Sequence, residues 1–263
     1  MEQKMRILLL ILSLFATLPS PAIAQVEEYP GRAVYPMVKV YNTGQLDQSF
    51  AEVNIVDVRS SYEYDTLHIN NAINIPLGSK DFSEQISKLA GNNKPIVFYC
   101  NGHTCYKSYK GVLKARKAGI GNVFSYDSGI FDWAKAHPEK STMLGRSPID
   151  PDRLISKSKL EKHLLQPKQF SQKINNNTVI LDIREPHQRK LMDLYPYRQE
   201  NIALNQKDKL VKLLSGIQTS GKTLLVYDEA GKQVRWLQYY LEAKGIKNYY
   251  FMAGGVKQFF KDI

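Results

Sequence analysis

The segment at 53–60, Val53-Asn54-Ile55-Val56-Asp57-Val58-Arg59-Ser60, returns at 178–185 as Thr178-Val179-Ile180-Leu181-Asp182-Ile183-Arg184-Glu185. An internal repeat of this kind constrains the fold more than any other feature, because the chain must build one unit twice. Downstream elements repeat in the same order. Pro95-Ile96-Val97-Phe98-Tyr99-Cys100 is matched by Thr223-Leu224-Leu225-Val226-Tyr227-Asp228, each a short apolar run of the kind found in strands buried on both faces. Each run precedes an amphipathic helix, with Tyr109, Val112, Leu113 and Arg116 in the first copy and Trp236, Leu237, Tyr240 and Leu241 in the second. A further strand follows (Asn122 to Tyr126; Asn248 to Met252), then Ser128-Gly129-Ile130 or Gly254-Gly255-Val256, then Trp133 or Phe259.

Strands alternating with helices of this length predict parallel β-α units, so the fold class is α/β: two tandem domains, each a small parallel sheet flanked by helices. The expected domains are 25–145 and 146–263. Gly145, Pro148 and Pro151 interrupt the periodicity and predict an exposed linker over 141–153. Upstream, Val38-Lys39-Val40 and the segment 46–50 are aligned with Leu154-Ile155-Ser156 and 160–165, and the polar stretch 167–177 is expected to be a surface loop.

The first 24 residues stand apart. Lys4 and Arg6, the apolar stretch from Ile7 to Phe15, and Ala22-Ile23-Ala24 make the three-part shape of a secretory signal peptide, with cleavage expected before Gln25. The apolar core is shorter than the roughly 20 residues of a spanning helix. A periplasmic or secreted, soluble protein is therefore expected. Among 263 residues there are only two cysteines, Cys100 and Cys105, which excludes a disulfide framework and a Cys-rich zinc site.

Cys100 ends a predicted buried strand and precedes a helix expected to start near Tyr106 or Lys107; ligands of open α/β sheets bind at such carboxyl ends. The loop Asn101-Gly102-His103-Thr104-Cys105 is expected to curl round the thiol with its N–H groups inward, an anion nest beside a positive helix N-terminus. Such a field favours thiolate over thiol. No acidic residue occurs between Glu84 and Asp127, whereas Lys107, Lys110, Lys114, Arg116 and Lys117 crowd the following helix.

The paired features resemble the rhodanese domain in tandem. In the first copy the matching residues are Val56-Asp57-Val58-Arg59, Glu63-Tyr64, His68-Ile69, Asn71-Ala72-Ile73-Asn74-Ile75-Pro76, Tyr99-Cys100, and Ser128-Gly129-Ile130 with Trp133. Leu67, Asn71 and Ser128 stand where the family usually has Gly. The resemblance implies sulfurtransfer: Cys100 as catalytic nucleophile attacks a thiosulfate-like donor, becomes a persulfide held by the loop 101–107 (Asn101, Gly102, His103, Thr104, Cys105, Tyr106, Lys107), and passes sulfur to a thiol or other acceptor. Asp57 and Arg59 are expected to support the loops. The loop is about two residues longer than its counterpart in the second copy, Asp228 to Val234. Phosphatase and arsenate-reductase relatives carry Arg five residues after the Cys; here Tyr106 stands near that place, so their phosphate clamp is lacking.

Two other readings stay open. Cys105 makes a C-x4-C pair with Cys100 that suits a thiol–disulfide oxidoreductase, and a non-catalytic binding module would retain the Cys without using it. No cofactor and no metal is expected. In the second copy Asp228 occupies the nucleophile's position, so that copy is expected to be inactive. The formal charge of +11 is uneven: residues 146–263 hold 21 basic against 12 acidic side chains. The expected partners are a small anionic sulfur donor and a thiol acceptor, with an acidic protein or membrane surface for the basic second domain and no nucleic acid.

Overall fold

The computed structural model describes residues 28–190 and 192–262; the expected signal segment and its cleavage site lie outside the described residues. The N-terminal unit runs through α1 (Pro30–Val34), α2 (Thr43–Gln48), β1 (Asn54–Asp57), α3 (Ser61–Thr66), β2 (Leu67–Ile69) and β3 (Ile73–Asn74). It continues with α4 (Phe82–Ala90), β4 (Ile96–Tyr99), α5 (Lys107–Lys117), β5 (Val123–Tyr126), α6 (Gly129–Ala136) and β6 (Ser141–Met143). The second unit comprises α7 (Lys157–Glu161), β7 (Leu164–Leu165), α8 (Pro167–Gln172), β8 (Thr178–Asp182), β9 (Gln199–Asn201) and α9 (Lys207–Ser220). It ends with β10 (Thr223–Tyr227), α10 (Val234–Ala243), β11 (Tyr249–Met252) and α11 (Gly255–Phe259).

The apolar repeats become the central strands of two parallel sheets, ordered β3-β1-β4-β5 and β7-β11-β10-β8-β9. All four residues of β4 are buried, as a strand covered by helices on both faces requires. Register then builds the site. Asp57 pairs with Tyr99 across β1 and β4, and Asp182 with Tyr227 across β8 and β10. The Asp-x-Arg segments therefore emerge at the same sheet edge as Cys100 and Asp228.

Three local expectations are corrected. The 141–153 stretch is not wholly an exposed linker: Ser141, Met143 and Ile149 are buried, and β6 pairs antiparallel with β2 through Leu67 and Met143. The polar stretch 167–177 does not open as a loop, because Pro167 starts α8, a Gln166/Gln169 capping box closes its first turn and Phe170 is buried. The upstream alignment also shifts. β7 pairs with Phe251 and Met252 of β11 just as Val40 bridges Ser125 of β5, so Leu164-Leu165 followed by α8 is the counterpart of Val40 followed by α2.

The two units share one continuous cluster of buried side chains. Across their junction Tyr62 stacks on Tyr240 with ring centroids 5.4 Å apart, and Phe131 on Trp236 at the same separation. Such stacks contribute about 0.5–1.5 kcal/mol each beyond the area they bury. The Arg235 guanidinium lies 3.7 Å from the Phe131 ring centroid and donates to the Ile155 carbonyl; Lys207 pairs with Asp65 at 2.6 Å.

Candidate active site

Cys100 leaves the end of β4 almost wholly buried, 1% exposed. The loop then doubles back: the Cys105 N–H donates to the Gly102 carbonyl at 2.6 Å, which lays residue 105 over residue 100. The Cys100 thiol donates to the Cys105 carbonyl at 3.2 Å and approaches Ser108 Oγ at 3.9 Å. Backbone N–H groups of Ser108 and Gly102 pull the Cys100 thiol down, and those of Lys107 and Asn101 pull Cys105 down. The loop curls back over the thiol as expected, and α5 starts at Lys107.

The charge within it lies elsewhere than expected. Burial, with the neighbouring Cys105, pushes the Cys100 thiol well above its ordinary range against the two N–H groups. Cys105 is pulled down to about 6, first by the hydrogen bond from the Cys100 thiol, then, against burial, by the Lys107 and Asn101 N–H groups and the Lys107 charge. Burial thus disfavours a thiolate on Cys100, and the shared hydrogen bond favours one on Cys105. Cys105 is the less buried of the two and lines the cleft, where a charged form is better solvated.

Asp57 and Arg59 brace this loop. Both are fully buried, Arg59 Nε and Nη2 grip the Asp57 carboxylate, Nη2 also donates to the Leu67 carbonyl, and Nη1 reaches Asn101 Oδ1 at 3.4 Å. Asn101 Nδ2 donates to Glu63 Oε1 at 3.0 Å. Burial raises Glu63, but Arg59, Lys107 and Asn101 outweigh it and hold the carboxyl below its usual range. His103 turns to Asp132, 2.7 Å away, and packs against Tyr29; Tyr106 meets Tyr35 edge-on. Among the described residues no cluster of His, Cys, Asp and Glu is arranged to hold a metal ion.

The family-pattern departures are accommodated locally. At the start of α6, Ser128 takes a right-handed conformation and only Gly129 needs positive φ, at +69°; a Cβ there would lie 2.4 Å from the Gly102 nitrogen. Asn71 sits at φ +63°, a region Asn tolerates. Leu67 is a buried strand residue.

The second copy repeats the brace and fills the nest. Arg184 grips Asp182 and reaches the Met192 carbonyl, with Glu229 3.9 Å away. The Asp228 carboxylate, 1% exposed, accepts from the backbone N–H groups of Ala230, Gly231, Gln233 and Val234. Burial pushes Asp228 up while these four bonds pull it down. Its nest is closed by its own side chain.

Between the copies lies a cleft of about 910 Å³. The Cys100 loop forms one wall, and Lys157, Leu160, Lys232, Arg235 and Trp236 of the second unit form the other. None of these five, nor Glu63 or Asp132, was assigned to the site from sequence. Only Glu63 carried a local signal, the Ser60-x-x-Glu63 capping box that closes α3. A separate cavity of about 570 Å³ in the second unit, floored by Leu213 and Ile217, contains no thiol.

Fold and site define a tandem protein whose cysteines lie only in the N-terminal copy. A sequence profile of the Rhodanese-like domain matches residues 42–136 and 166–262, and the chain belongs to that family. Among curated proteins it is similar to the HTH-type transcriptional regulator Rv0324 of Mycobacterium tuberculosis (39% identity over 85 residues, 32% of this chain and 36% of that one). It is also similar to the tRNA uridine(34) hydroxylase of Escherichia coli (30% over 136 residues, 45% of this chain and 37% of that one). The chain thus spans little more than a third of these relatives' lengths. Among solved structures it overlays the BH2092 protein of Bacillus halodurans (TM-score 0.38, 24% identity, 50% of this chain and 93% of that one). The thiosulfate sulfurtransferase of Pseudomonas aeruginosa overlays with TM-score 0.41 and 16% identity, over 86% of this chain and 42% of that one.

Proposed function

We propose that this protein is an exported sulfurtransferase, periplasmic or secreted, that moves sulfane sulfur from a thiosulfate-like donor to a thiol or other nucleophilic acceptor through a persulfide on Cys100. The observation that carries this reading is the loop after Cys100 at the end of β4, which folds back over the thiol and lines the cleft through residues 101–107. The carboxylate of Asp228, bound by four N–H groups in the equivalent loop, supports it: this loop geometry suits an anion attached to the residue that ends the strand.

Cys100 is the nucleophile. Its thiolate attacks the sulfane sulfur of thiosulfate, sulfite leaves with the bonding electron pair, and the outer sulfur of the new persulfide takes the loop N–H groups. An acceptor thiolate then attacks that outer sulfur and frees Cys100. Lys107, Lys157, Lys232 and Arg235 give the cleft a positive lining that draws an anionic donor. The basic second unit meets an acidic protein or an anionic membrane surface. The test is sulfite release from thiosulfate with cyanide or a small thiol as acceptor: wild type turns over and Cys100→Ser does not. Equal turnover by Cys100→Ser would refute the assignment.

A further inference from the structure

Cys105 is the one group of the nest that sulfurtransfer through Cys100 leaves without a task. It is folded back by the 2.6 Å bond to Gly102 so that residue 105 covers Cys100, its carbonyl oxygen 3.2 Å from the Cys100 sulfur. The two thiols perturb one another, Cys105 pushing the Cys100 thiol up and Cys100 pulling Cys105 down. Any persulfide formed on Cys100 therefore grows beside the residue that carries the second thiol.

We propose that Cys105 is a resolving thiol: it attacks Sγ of the Cys100 persulfide, releases hydrosulfide, and leaves a Cys100–Cys105 disulfide. This rests on the Cys100 persulfide proposed above and adds a second outcome for it, in competition with transfer to an external acceptor.

The step balances with one proton and no outside oxidant. Cys100 is the harder thiol to ionise and Cys105 the easier, so the step starts from a thiol at Cys100 and a thiolate at Cys105. As the donor arrives, Cys105 takes that proton, Cys100 displaces sulfite from thiosulfate, and the persulfide anion forms. Cys105 then returns the proton to the outer sulfur and attacks Cys100 Sγ as thiolate. The Cys100–outer sulfur bond breaks and its electron pair leaves with the outer sulfur as HS⁻. The sulfane sulfur is reduced to sulfide while two thiols are oxidised to one disulfide. A low-molecular-weight thiol resets the pair by exchange. Under reducing conditions the protein would thus release sulfide from thiosulfate, and without a thiol it would stop after one turnover with its nucleophile blocked.

The geometry also separates resolution from a simple relay in which Cys105 takes the outer sulfur. Residue 105 folds over Cys100 Sγ itself, its carbonyl oxygen 3.2 Å from that atom, whereas a relay requires Cys105 to reach the outer sulfur one bond farther out. The inward turn of Cys105 suits attack on the inner sulfur.

The test uses the fully reduced mature protein under anaerobic conditions with excess thiosulfate and no added thiol. Sulfite, sulfide and intact mass are measured on wild type, Cys105→Ser, Cys105→Ala and Cys100→Ser, with circular dichroism to confirm folding. Wild type should release about one equivalent each of sulfite and sulfide and lose about 2 Da. Both Cys105 variants should load more slowly, keep a gain of about 32 Da, and release less than about a tenth of the sulfide. Sulfite release with a retained 32 Da gain in wild type overturns resolution while leaving Cys100 sulfurtransfer intact, as does a stable persulfide found on Cys105. Absence of both sulfite and mass change in every folded form, with thiosulfate and then with inorganic polysulfide, overturns both.

Discussion

Arg59 and Asp57 form a fully buried ion pair whose guanidinium also holds the Leu67 carbonyl and reaches Asn101, the first residue after Cys100. The same fork recurs between Arg184 and Asp182. Replacing Arg59 by Ala leaves a buried carboxylate without its partner, a change that typically costs about 3–5 kcal/mol. Denaturant unfolding of Arg59→Ala should show a loss of that order, and sulfur loading should fall because Asn101 is no longer braced.

Cys105 should behave as the acidic thiol of the pair. Its depressed value means that the thiolate fraction rises as pH passes through about 6, against roughly 8.5 for an unperturbed thiol. Iodoacetamide labelling of Cys105 followed by peptide mass should show a midpoint near pH 6. In Cys100→Ala, which removes the thiol donor, the midpoint should move upward. Labelling of Cys105 with an ordinary midpoint in wild type would contradict the shared-proton arrangement.

The second unit's Asp228 is structural. Asp228→Ala leaves four backbone N–H groups without their acceptor, and hydrogen bonds to charged groups contribute about 1.5–3 kcal/mol each. Relief of the buried charge offsets part of that, so a net loss of about 2–4 kcal/mol is expected. Thermal unfolding checks the stability, and sulfite release by the folded variant should stay within about twofold of wild type.

Trp236 joins the two copies and walls the cleft, stacked on Phe131 and 5.1 Å from the Arg59 guanidinium. Trp236→Ala should cost about 3–5 kcal/mol and raise the KM for thiosulfate more than it lowers kcat. Trp236→Phe should restore most of both.

The positive charge of the second unit is separable from the chemistry. Replacing Lys209, Lys212 and Lys222 with Gln should weaken binding to vesicles rich in anionic lipid, measured by co-sedimentation, and leave sulfite release unchanged. Parallel loss of sulfur chemistry in a folded variant would overturn that division.

The central strands, the repeat and the Cys100 loop were legible because parallel strands buried on both faces are written as continuous apolar runs, Ile96 to Tyr99 and Thr223 to Tyr227. β6 was not, since its three residues are ordered only by pairing with β2, far away in sequence. α8 was hidden because most of its residues are polar and only Pro167 and Phe170 are buried. The contrast between the two thiols follows from the burial of Cys100 and its hydrogen bond to Cys105, which no local pattern reports. The cleft's second wall, Arg235 and Trp236, came from a helix that read simply as core-facing; its packing against α3 of the other unit is a tertiary fact.

The most direct test of the account locates the transferred sulfur. Cys105→Ser and Cys100→Ser are each treated anaerobically with thiosulfate, the product is capped with iodoacetamide, and peptides spanning residues 100–107 are read by mass. The account predicts an added sulfur of about 32 Da on Cys100 in Cys105→Ser and none in Cys100→Ser. Sulfur on Cys105 in Cys100→Ser, with Cys105→Ser left unloaded, would contradict it and make Cys105 the carrier.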